Sequence, residues 1–356
     1  MSISPCSVFS YGRKEDGSFN DKGFEGDSVS ADESSSYLRA IGSVLRDSVR
    51  ISLPLFKIMI PVLILVRIFR ELGWIEYLAL PLEPLMRFVG LPAEMGLVWA
   101  TAMANNLYGA AVVFLSLSPD HTLNVAQVTV LATMLLVAHA LPVEVRIAQK
   151  AGSRFWFHLL VRVAGALVLG FILHKVYLYT GWLQQENIVF WQGEAKTQAG
   201  NLEWAVNQLR NLAFIFLIIL ALVSLMRVLN RLRITALLVR LLEYPLRTLG
   251  IGREASFLTI VGMTMGVTYG GGLIIHEAAS GNVGPRDVFS AMTLMGLTHS
   301  LFEDTLLMVM LGAHLSGILF ARLIFSLLVV AILVRCLPLL PDRFVHRFLY
   351  RMPVKG

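Results

Sequence analysis

Long apolar segments separated by short polar connections make up most of the chain. Residues 1–38 are different, since they are rich in Ser, Gly, Asp and Glu and have no apolar period. The apolar segments that follow lie at about 48–70, 94–117, 125–147, 156–178, 206–229, 254–276, 287–312 and 315–337. A helix needs roughly 20 apolar residues to cross the hydrocarbon core of a bilayer, and these segments have or approach that length. The pattern predicts an all-α polytopic membrane protein with a disordered N-terminal tail over 1–38.

The composition agrees with a lipid environment. Hydrophobic residues make up 56% and charged residues 15% of the 356 positions, whereas soluble proteins carry roughly 45–50% and about 25%. The net charge is +6, but the basic residues lie between apolar segments rather than in one stripe, so we expect no nucleic-acid partner. The two cysteines, Cys6 and Cys336, lie near opposite ends of the chain and indicate neither a disulfide framework nor a cysteine zinc site.

Polar and charged residues recur at a constant offset of 160 positions, which indicates an internal duplication. The matching pairs are Arg50 and Arg210, Arg67 and Arg227, Glu83 and Glu243, Arg87 and Arg247, Gly90 and Gly250, Glu94 and Glu254, Thr133 and Thr293, His139 and His299, Glu144 and Asp304, and Arg162 and Arg322. Random apolar sequence supplies Leu and Met matches readily, but it does not supply a shared register of Glu, His, Gly and Arg.

Charge asymmetry predicts that the two copies have opposite orientations in the membrane. Arginines crowd the 227–253 connection and the C-terminus, which therefore belong in the cytoplasm. The 179–204 connection has one lysine, three glutamates and three tryptophans, so it faces outward. We thus predict inverted repeats over 45–178 and 205–337, joined by an extracytoplasmic linker over 179–204 and followed by a basic cytoplasmic tail over 338–356.

These apolar segments alone do not give a consistent number of membrane crossings. The chain must cross an odd number of times between residues 70 and 156, but two apolar segments lie there. One segment in each copy must therefore be re-entrant or broken, or the shorter stretches at 76–90 and 234–249 must contribute. Broken helices at membrane depth require surrounding protein or a water-filled cavity.

Two polar interruptions are candidates for such breaks. In the first copy Asn105, Asn106, Tyr108 and Gly109 interrupt the 94–117 segment. In the second copy Tyr269-Gly270-Gly271-Gly272 lies at the corresponding place. Each glycine costs about 1 kcal/mol relative to alanine inside a helix, so we expect the helix to unwind there and to expose backbone groups to a ligand. The alternative is that the glycines only let helices pack closely.

A second candidate lies around His299. On a continuous helix His299 and Glu303 share a face, so the imidazole could donate to the carboxylate. Ionisable groups inside a bilayer normally face a bundle interior or a cavity, which favours a role in binding or proton coupling. The alternatives are structural pairing, of Glu303 or Asp304 with Arg322 and of Glu144 with Arg162, or a place at the membrane surface.

A metal site is conceivable from His276, Glu277, His299 and Glu303, but no tight ligand spacing supports it. We therefore predict no bound metal and no cofactor. The sequence also shows no Walker motif, no nucleophile elbow and no paired catalytic carboxylates, so we predict that the protein is not an enzyme.

Three of these segments together resemble the nucleoside-recognition or Gate domain family. They are Asn105-Asn106-Leu107-Tyr108-Gly109, Tyr269-Gly270-Gly271-Gly272 and His299-Ser300-Leu301-Phe302-Glu303-Asp304-Thr305. The family includes the membrane portions of concentrative nucleoside transporters and of the ferrous-iron transporter. The resemblance implies inverted repeats with re-entrant or broken helices that meet at a central site, and it does not imply a substrate.

The sequence predicts a multi-pass transporter of the bacterial inner membrane, with both termini cytoplasmic, that moves a small polar or charged solute at the repeat interface. The predicted substrate-binding residues are Asn105, Asn106, Tyr108, Tyr269, Gly270, Gly271, Gly272, His299, Ser300 and Glu303, and the predicted coupling or ion-binding residues are His139, Glu144, His276, Glu277 and Asp304. The expected partners are this small molecule or ion, the lipid bilayer and either a second copy or a membrane partner subunit. The alternatives are a non-transporting scaffold subunit and an ion channel.

Overall fold

The computed structural model describes residues 28–118, 122–187, 200–231, 234–248 and 250–350, apart from some side chains within the helices. The chain divides into two units, residues 1–43 and 44–356. The described part of the first unit is the beginning of the first helix. Most of the predicted disordered tail lies outside the described residues. Residues 28–38 are helical, so the prediction of disorder is wrong for them. They extend the long helix Ser28–Glu71, and adding a residue to an existing helix is far easier than starting a new one.

The described residues form eight α-helices in each half of the chain. In the first half they are α1 Ser28–Glu71, α2 Trp74–Ala79, α3 Glu83–Phe88, α4 Met95–Ala104, α5 Leu107–Leu117, α6 Val125–Val137, α7 Leu141–Lys150 and α8 Phe155–Thr180. In the second half they are α9 Asn201–Arg231, α10 Ile234–Thr248, α11 Arg253–Met265, α12 Val267–Ala279, α13 Pro285–Leu297, α14 Glu303–Met310, α15 Arg322–Cys336 and α16 Asp342–Phe344. Short 3₁₀ or π turns lie at Leu80–Leu82, Ser316–Ala321, Leu337–Leu339 and Val345–Leu349.

Five helical segments in the described part of the chain are long and apolar enough to cross a membrane. They are Gly42–Glu71, Val125–Lys150, Phe155–Thr180, Leu202–Leu225 and Ser316–Leu339. The described residues form isolated β-bridges but no strand. These observations confirm an all-α polytopic membrane protein.

The central element is the segment Val125–Lys150. About 78% of its apolar window is buried inside the protein, against 17% for Gly42–Glu71. The segment is helical over α6 and α7 and is interrupted at 138–140. Since a peripheral helix faces lipid and a central one faces protein, the break within 125–150 lies in protein surroundings, where it is tolerated.

Three further apolar segments are broken, and the breaks have identifiable causes. Asn106 begins α5 with extended backbone, and its side chain accepts a hydrogen bond from Gly109 N at 2.8 Å. This cap replaces a missing backbone partner at the helix start. Gly266 separates α11 from α12 with φ +95°, and Ser300 adopts φ +46° between α13 and α14. Such positive φ values cannot continue a right-handed helix.

The second of these breaks corrects the sequence prediction. Residues Gly270, Gly271 and Gly272 lie inside α12, and the chain leaves the helix at Gly266 instead. A Cβ atom added to Gly270 would lie 2.2 Å from Gly262 Cα. Gly270 therefore allows α11 and α12 to approach closely, and in a membrane this packing outweighs the weak helix propensity of glycine.

The helix bounds recur at the same 160-residue offset as the sequence matches. Helices α6 and α13 span 125–137 and 285–297, and α5 and α12 begin at 107 and 267. Ala140 and Ser300 both adopt φ +46°. These correspondences support the predicted duplication, whereas the inverted orientation of the copies stays a prediction.

The C-terminal segment up to residue 350 packs on the connection between α7 and α8. Arg154 N donates to Leu349 O at 2.8 Å, and the Arg154 guanidinium donates to His346 O. The Tyr350 ring lies 5.1 Å from that of Phe289. The described part of the predicted basic tail is therefore attached to the body of the protein.

Candidate functional site

Two histidines meet where two interrupted helices end. His139 follows the end of α6, and His299 follows the end of α13. Their Nε2 atoms lie 3.1 Å apart although the residues are 160 positions apart in sequence. Both are buried, with 5% and 2% of their surface exposed. The equivalent breaks in the two halves thus bring equivalent side chains into contact.

Two carboxylates complete this group, which we call the histidine–carboxylate cluster: His139, Glu144, His299 and Asp304. Glu144 Oε1 lies 3.2 Å from His299 Nε2 and 3.6 Å from His139 Nε2. Asp304 Oδ2 lies 3.8 Å from His139 Nε2. Both carboxylate side chains are mostly buried, at 11% and 13% exposure. Ionisable groups at such depth in a membrane protein are costly and normally mark functional sites.

Two fully buried arginines border the cluster. Arg162 donates to Glu144 Oε2 and to Val137 O. Arg322 donates to His299 O. The pair of Glu144 with Arg162, which the sequence offered as a structural alternative, is thus present together with the contact between Glu144 and His299. Of the atoms described here, Arg162 Nη2 and Arg322 Nε and Nη1 have no hydrogen-bond partner.

The predicted pairing of His299 with Glu303 is wrong. Helix α13 ends at Leu297 and α14 begins at Glu303, so the two residues do not share a helix face. His299 instead contacts Glu144 and His139. Ser300, between them, has φ +46°, and this turn sends the chain away from the axis of α13.

Glu303 is held by the first half of the chain. The Tyr108 hydroxyl donates a hydrogen bond to Glu303 Oε1 at 3.0 Å. Asn106 Nδ2 donates to Asn105 Oδ1 at 3.2 Å, while Asn105 Nδ2 is buried and has no partner within the described residues. The break between α4 and α5 therefore contributes polar groups next to the start of α14. Their role in binding a solute stays a prediction.

Other predicted site residues lie apart from the cluster. His276 is exposed near the end of α12, and Glu277 accepts a hydrogen bond from Asn282 at 2.7 Å. Glu277 lines a cleft of about 650 Å³ together with Glu243, Arg253 and Glu254. Gly270 and Gly271 are buried in helix packing, and Gly272 is exposed. The side chain of Tyr269 lies outside the described part of the structure. The roles assigned to these residues stay predictions.

Sequence reasoning missed the contact between His139 and His299. A signal existed, because the two residues occupy equivalent positions in the predicted duplication. If two copies are related by a two-fold axis, equivalent residues close to that axis lie close to each other.

Comparison with known proteins supports the family resemblance. Residues 52–153 match the family model described as Gate, nucleoside recognition. The chain is 28% identical over 277 residues to the uncharacterized membrane protein YvoD of Bacillus subtilis (strain 168). The aligned region covers 75% of this chain and 85% of that protein. No solved structure matches. The Gate resemblance is thereby confirmed, and it supports a membrane transport-related role.

Proposed function

We propose that this protein is a transporter of the bacterial inner membrane that moves a small polar or charged solute past the histidine–carboxylate cluster. The observation that carries the proposal is the convergence of His139, Glu144, His299 and Asp304 within 4 Å of a neighbour at the breaks of two apolar segments. The Gate match over residues 52–153 supports the same role.

The energetics favour a binding site over a purely structural one. A single buried ion pair, such as Arg162 with Glu144, satisfies itself and needs no further ionisable neighbours. Here two histidines and a second carboxylate surround that pair. Each ionisable group at the bilayer centre costs about 2.5 kcal/mol or more. These groups lower the stability of the fold, so a function must account for their presence in its core. Binding of an ion or solute is such a function.

The neighbouring polar groups suit the recognition of a solute. Tyr108 and Glu303 join the two halves, and the amides of Asn105 and Asn106 lie at the adjacent break. Amide, phenol and carboxylate groups offer both donors and acceptors for hydrogen bonds. We assign Asn105, Asn106, Tyr108 and Glu303 to solute binding and the cluster to the coupling proton or cation, and we expect no enzymatic activity.

Uptake into proteoliposomes tests this function. Radiolabelled uridine, adenosine and Mn²⁺ are the probes, each with and without an inward proton gradient. We expect saturable uptake of at least one probe, and a loss of about tenfold or more in Glu303→Gln, which corresponds to about 1.4 kcal/mol of lost stabilisation. Glu76→Gln is the matched control, because Glu76 is exposed on α2.

Several outcomes would argue against the proposal. Equal uptake by Glu303→Gln and the wild type would remove Glu303 from the solute path. Conductance without saturable uptake would favour a channel. Copurification of a stoichiometric subunit, with no uptake of any probe, would favour a scaffold.

Cysteine labelling tests the proposed orientation, in which both termini are cytoplasmic and the 179–204 connection is outside. In a background with Cys6→Ser and Cys336→Ser, a membrane-impermeant thiol reagent should label Lys196→Cys in intact cells. It should label Lys150→Cys, in an exposed position of the predicted cytoplasmic turn, only after permeabilisation. The reverse pattern would overturn the orientation, and labelling of both in intact cells would overturn the inverted repeat.

A further inference from the structure

We infer that the histidine–carboxylate cluster is a binding site for one divalent transition-metal cation, with His139, His299 and Asp304 as ligands and Glu144 as a fourth. The inference deepens the proposed function, because it names the chemical class of the ion at the site on which that function rests.

The hydrogen bonds of the two imidazoles fix where their protons are. His139 Nδ1 lies 2.9 Å from Leu135 O, and His299 Nδ1 lies 2.8 Å from Met295 O. A backbone carbonyl oxygen only accepts hydrogen bonds, so each Nδ1 carries a proton. In the neutral imidazole the Nε2 atom is then an acceptor with a free lone pair. Both lone pairs belong to the two atoms that lie 3.1 Å apart.

The remaining atoms of the cluster are acceptors as well. Glu144 Oε1 faces both Nε2 atoms, and Asp304 Oδ2 faces that of His139. Within the described part of the chain, Asp304 Oδ2 accepts no hydrogen bond. Ligand atoms of His139, His299 and Asp304 lie within 4.8 Å of one another. Arg162 balances one carboxylate from the far side of Glu144, but no donor from the described residues lies between the facing lone pairs. Facing lone pairs repel one another, so the arrangement favours a proton or a cation between them.

The distances suit a metal ion. Imidazole nitrogen and carboxylate oxygen ligands lie about 2.0–2.2 Å from a first-row divalent metal, which places neighbouring ligands of one ion roughly 3.0–3.5 Å apart. The separations of 3.1 Å and 3.2 Å around His299 Nε2 fall in that range. Asp304, at 3.8 Å from His139, comes within it after a small side-chain movement.

A metal ion satisfies more of these groups than a proton does. One proton on His299 Nε2 forms a bond with either His139 or Glu144 and leaves Asp304 Oδ2 without a partner. One cation placed among His139, His299 and Asp304 reaches a ligand atom of each, and Glu144 Oε1, 3.2 Å from His299 Nε2, is the candidate for a fourth ligand. Mixed imidazole and carboxylate ligands are typical of Zn²⁺, Mn²⁺, Co²⁺ and related ions, whereas Mg²⁺ and Ca²⁺ prefer oxygen ligands alone.

The groups behind the ligands have the arrangement that metal sites use. Ligating histidines almost always donate their second ring nitrogen to a carbonyl or carboxylate, which holds the ring in place. Leu135 O and Met295 O do this for the two imidazoles. Arg162 holds Glu144 Oε2 and leaves Oε1 directed at the histidines. This inference departs from the sequence prediction of no bound metal, which rested on the lack of tight ligand spacing among His276, Glu277, His299 and Glu303. The structure brings a different set together.

Cobalt binding to the purified protein in detergent tests the site. After treatment with EDTA, the protein is titrated with Co²⁺ by calorimetry, and the visible absorption of bound Co²⁺ reports nitrogen and oxygen ligands in a low-symmetry site. We expect one Co²⁺ per chain, displaced by Zn²⁺, with affinity at least tenfold weaker in His139→Gln, His299→Gln and Asp304→Asn. His174→Gln is the control, because His174 lies in α8 and packs on Gly90, away from the cluster. This variant should bind Co²⁺ as the wild type does.

The outcomes separate this inference from the transport proposal. Absence of Co²⁺ and Zn²⁺ binding by folded wild-type protein, or equal binding by the His139→Gln/His299→Gln double variant, would overturn the metal site even if uridine or adenosine is transported. Binding that depends on the cluster supports the site even if no probe crosses the membrane. If a variant does not fold, protection of the wild-type histidines from diethyl pyrocarbonate by Zn²⁺ is measured instead, and unchanged modification would also overturn the site.

Discussion

Replacing Arg162 with methionine is expected to lower the free energy of unfolding by about 3–5 kcal/mol. The guanidinium is 1% exposed and donates to Glu144 Oε2 and Val137 O. Its removal leaves a buried carboxylate with one oxygen unpaired, and an uncompensated buried charge is the costly part of breaking such a pair. Thermal unfolding followed by tryptophan fluorescence in detergent, with EDTA present, measures the change.

The double variant Arg162→Met/Glu144→Gln distinguishes charge from packing. A neutral amide no longer needs a counter-ion, so the double variant should regain most of the stability that the single variant loses. If the double variant is no more stable than Arg162→Met, the loss comes from the packing of the long side chain and from its bond to Val137 rather than from Glu144.

Replacing Gly270 with alanine is expected to lower the free energy of unfolding by about 3 kcal/mol, the upper part of the usual range for overpacking. The added Cβ would lie 2.2 Å from Gly262 Cα and 2.8 Å from Gly262 N. Both are backbone atoms, so no side chain can rotate away, and helices α11 and α12 must separate. The same thermal unfolding experiment measures the effect.

Gly272→Ala is the matched control for this prediction. The two glycines lie in the same helix, and no described atom lies within 4 Å of a Cβ added to Gly272. Alanine is the better helix former, so this variant should be more stable than the wild type by about 0.5–1 kcal/mol. Equal stability of Gly270→Ala and Gly272→Ala would contradict the close contact between α11 and α12.

The contrast between these glycines shows where sequence reasoning stops. Helix propensity predicts a break at Gly270–Gly272, but the helix continues through them and ends at Gly266. Inside a membrane an unbroken helix satisfies its own backbone hydrogen bonds, and small residues gain close packing. The low helix propensity of glycine, about 1 kcal/mol for each residue relative to alanine, is a smaller effect than these two. The break at Asn105–Asn106 was predictable because Asn106 caps the next helix itself.

The sequence by itself determined the helical class, the apolar segments and the 160-residue register, and it offered the pairing of Glu144 with Arg162 as one alternative. These follow from local composition and spacing, because a lipid environment demands apolar stretches of a set length and buried charges demand partners. Only the tertiary structure decided that His299 contacts His139 and Glu144 rather than Glu303. That choice depends on where α13 ends and how two distant breaks meet, which is a matter of packing between segments and not of spacing along one of them.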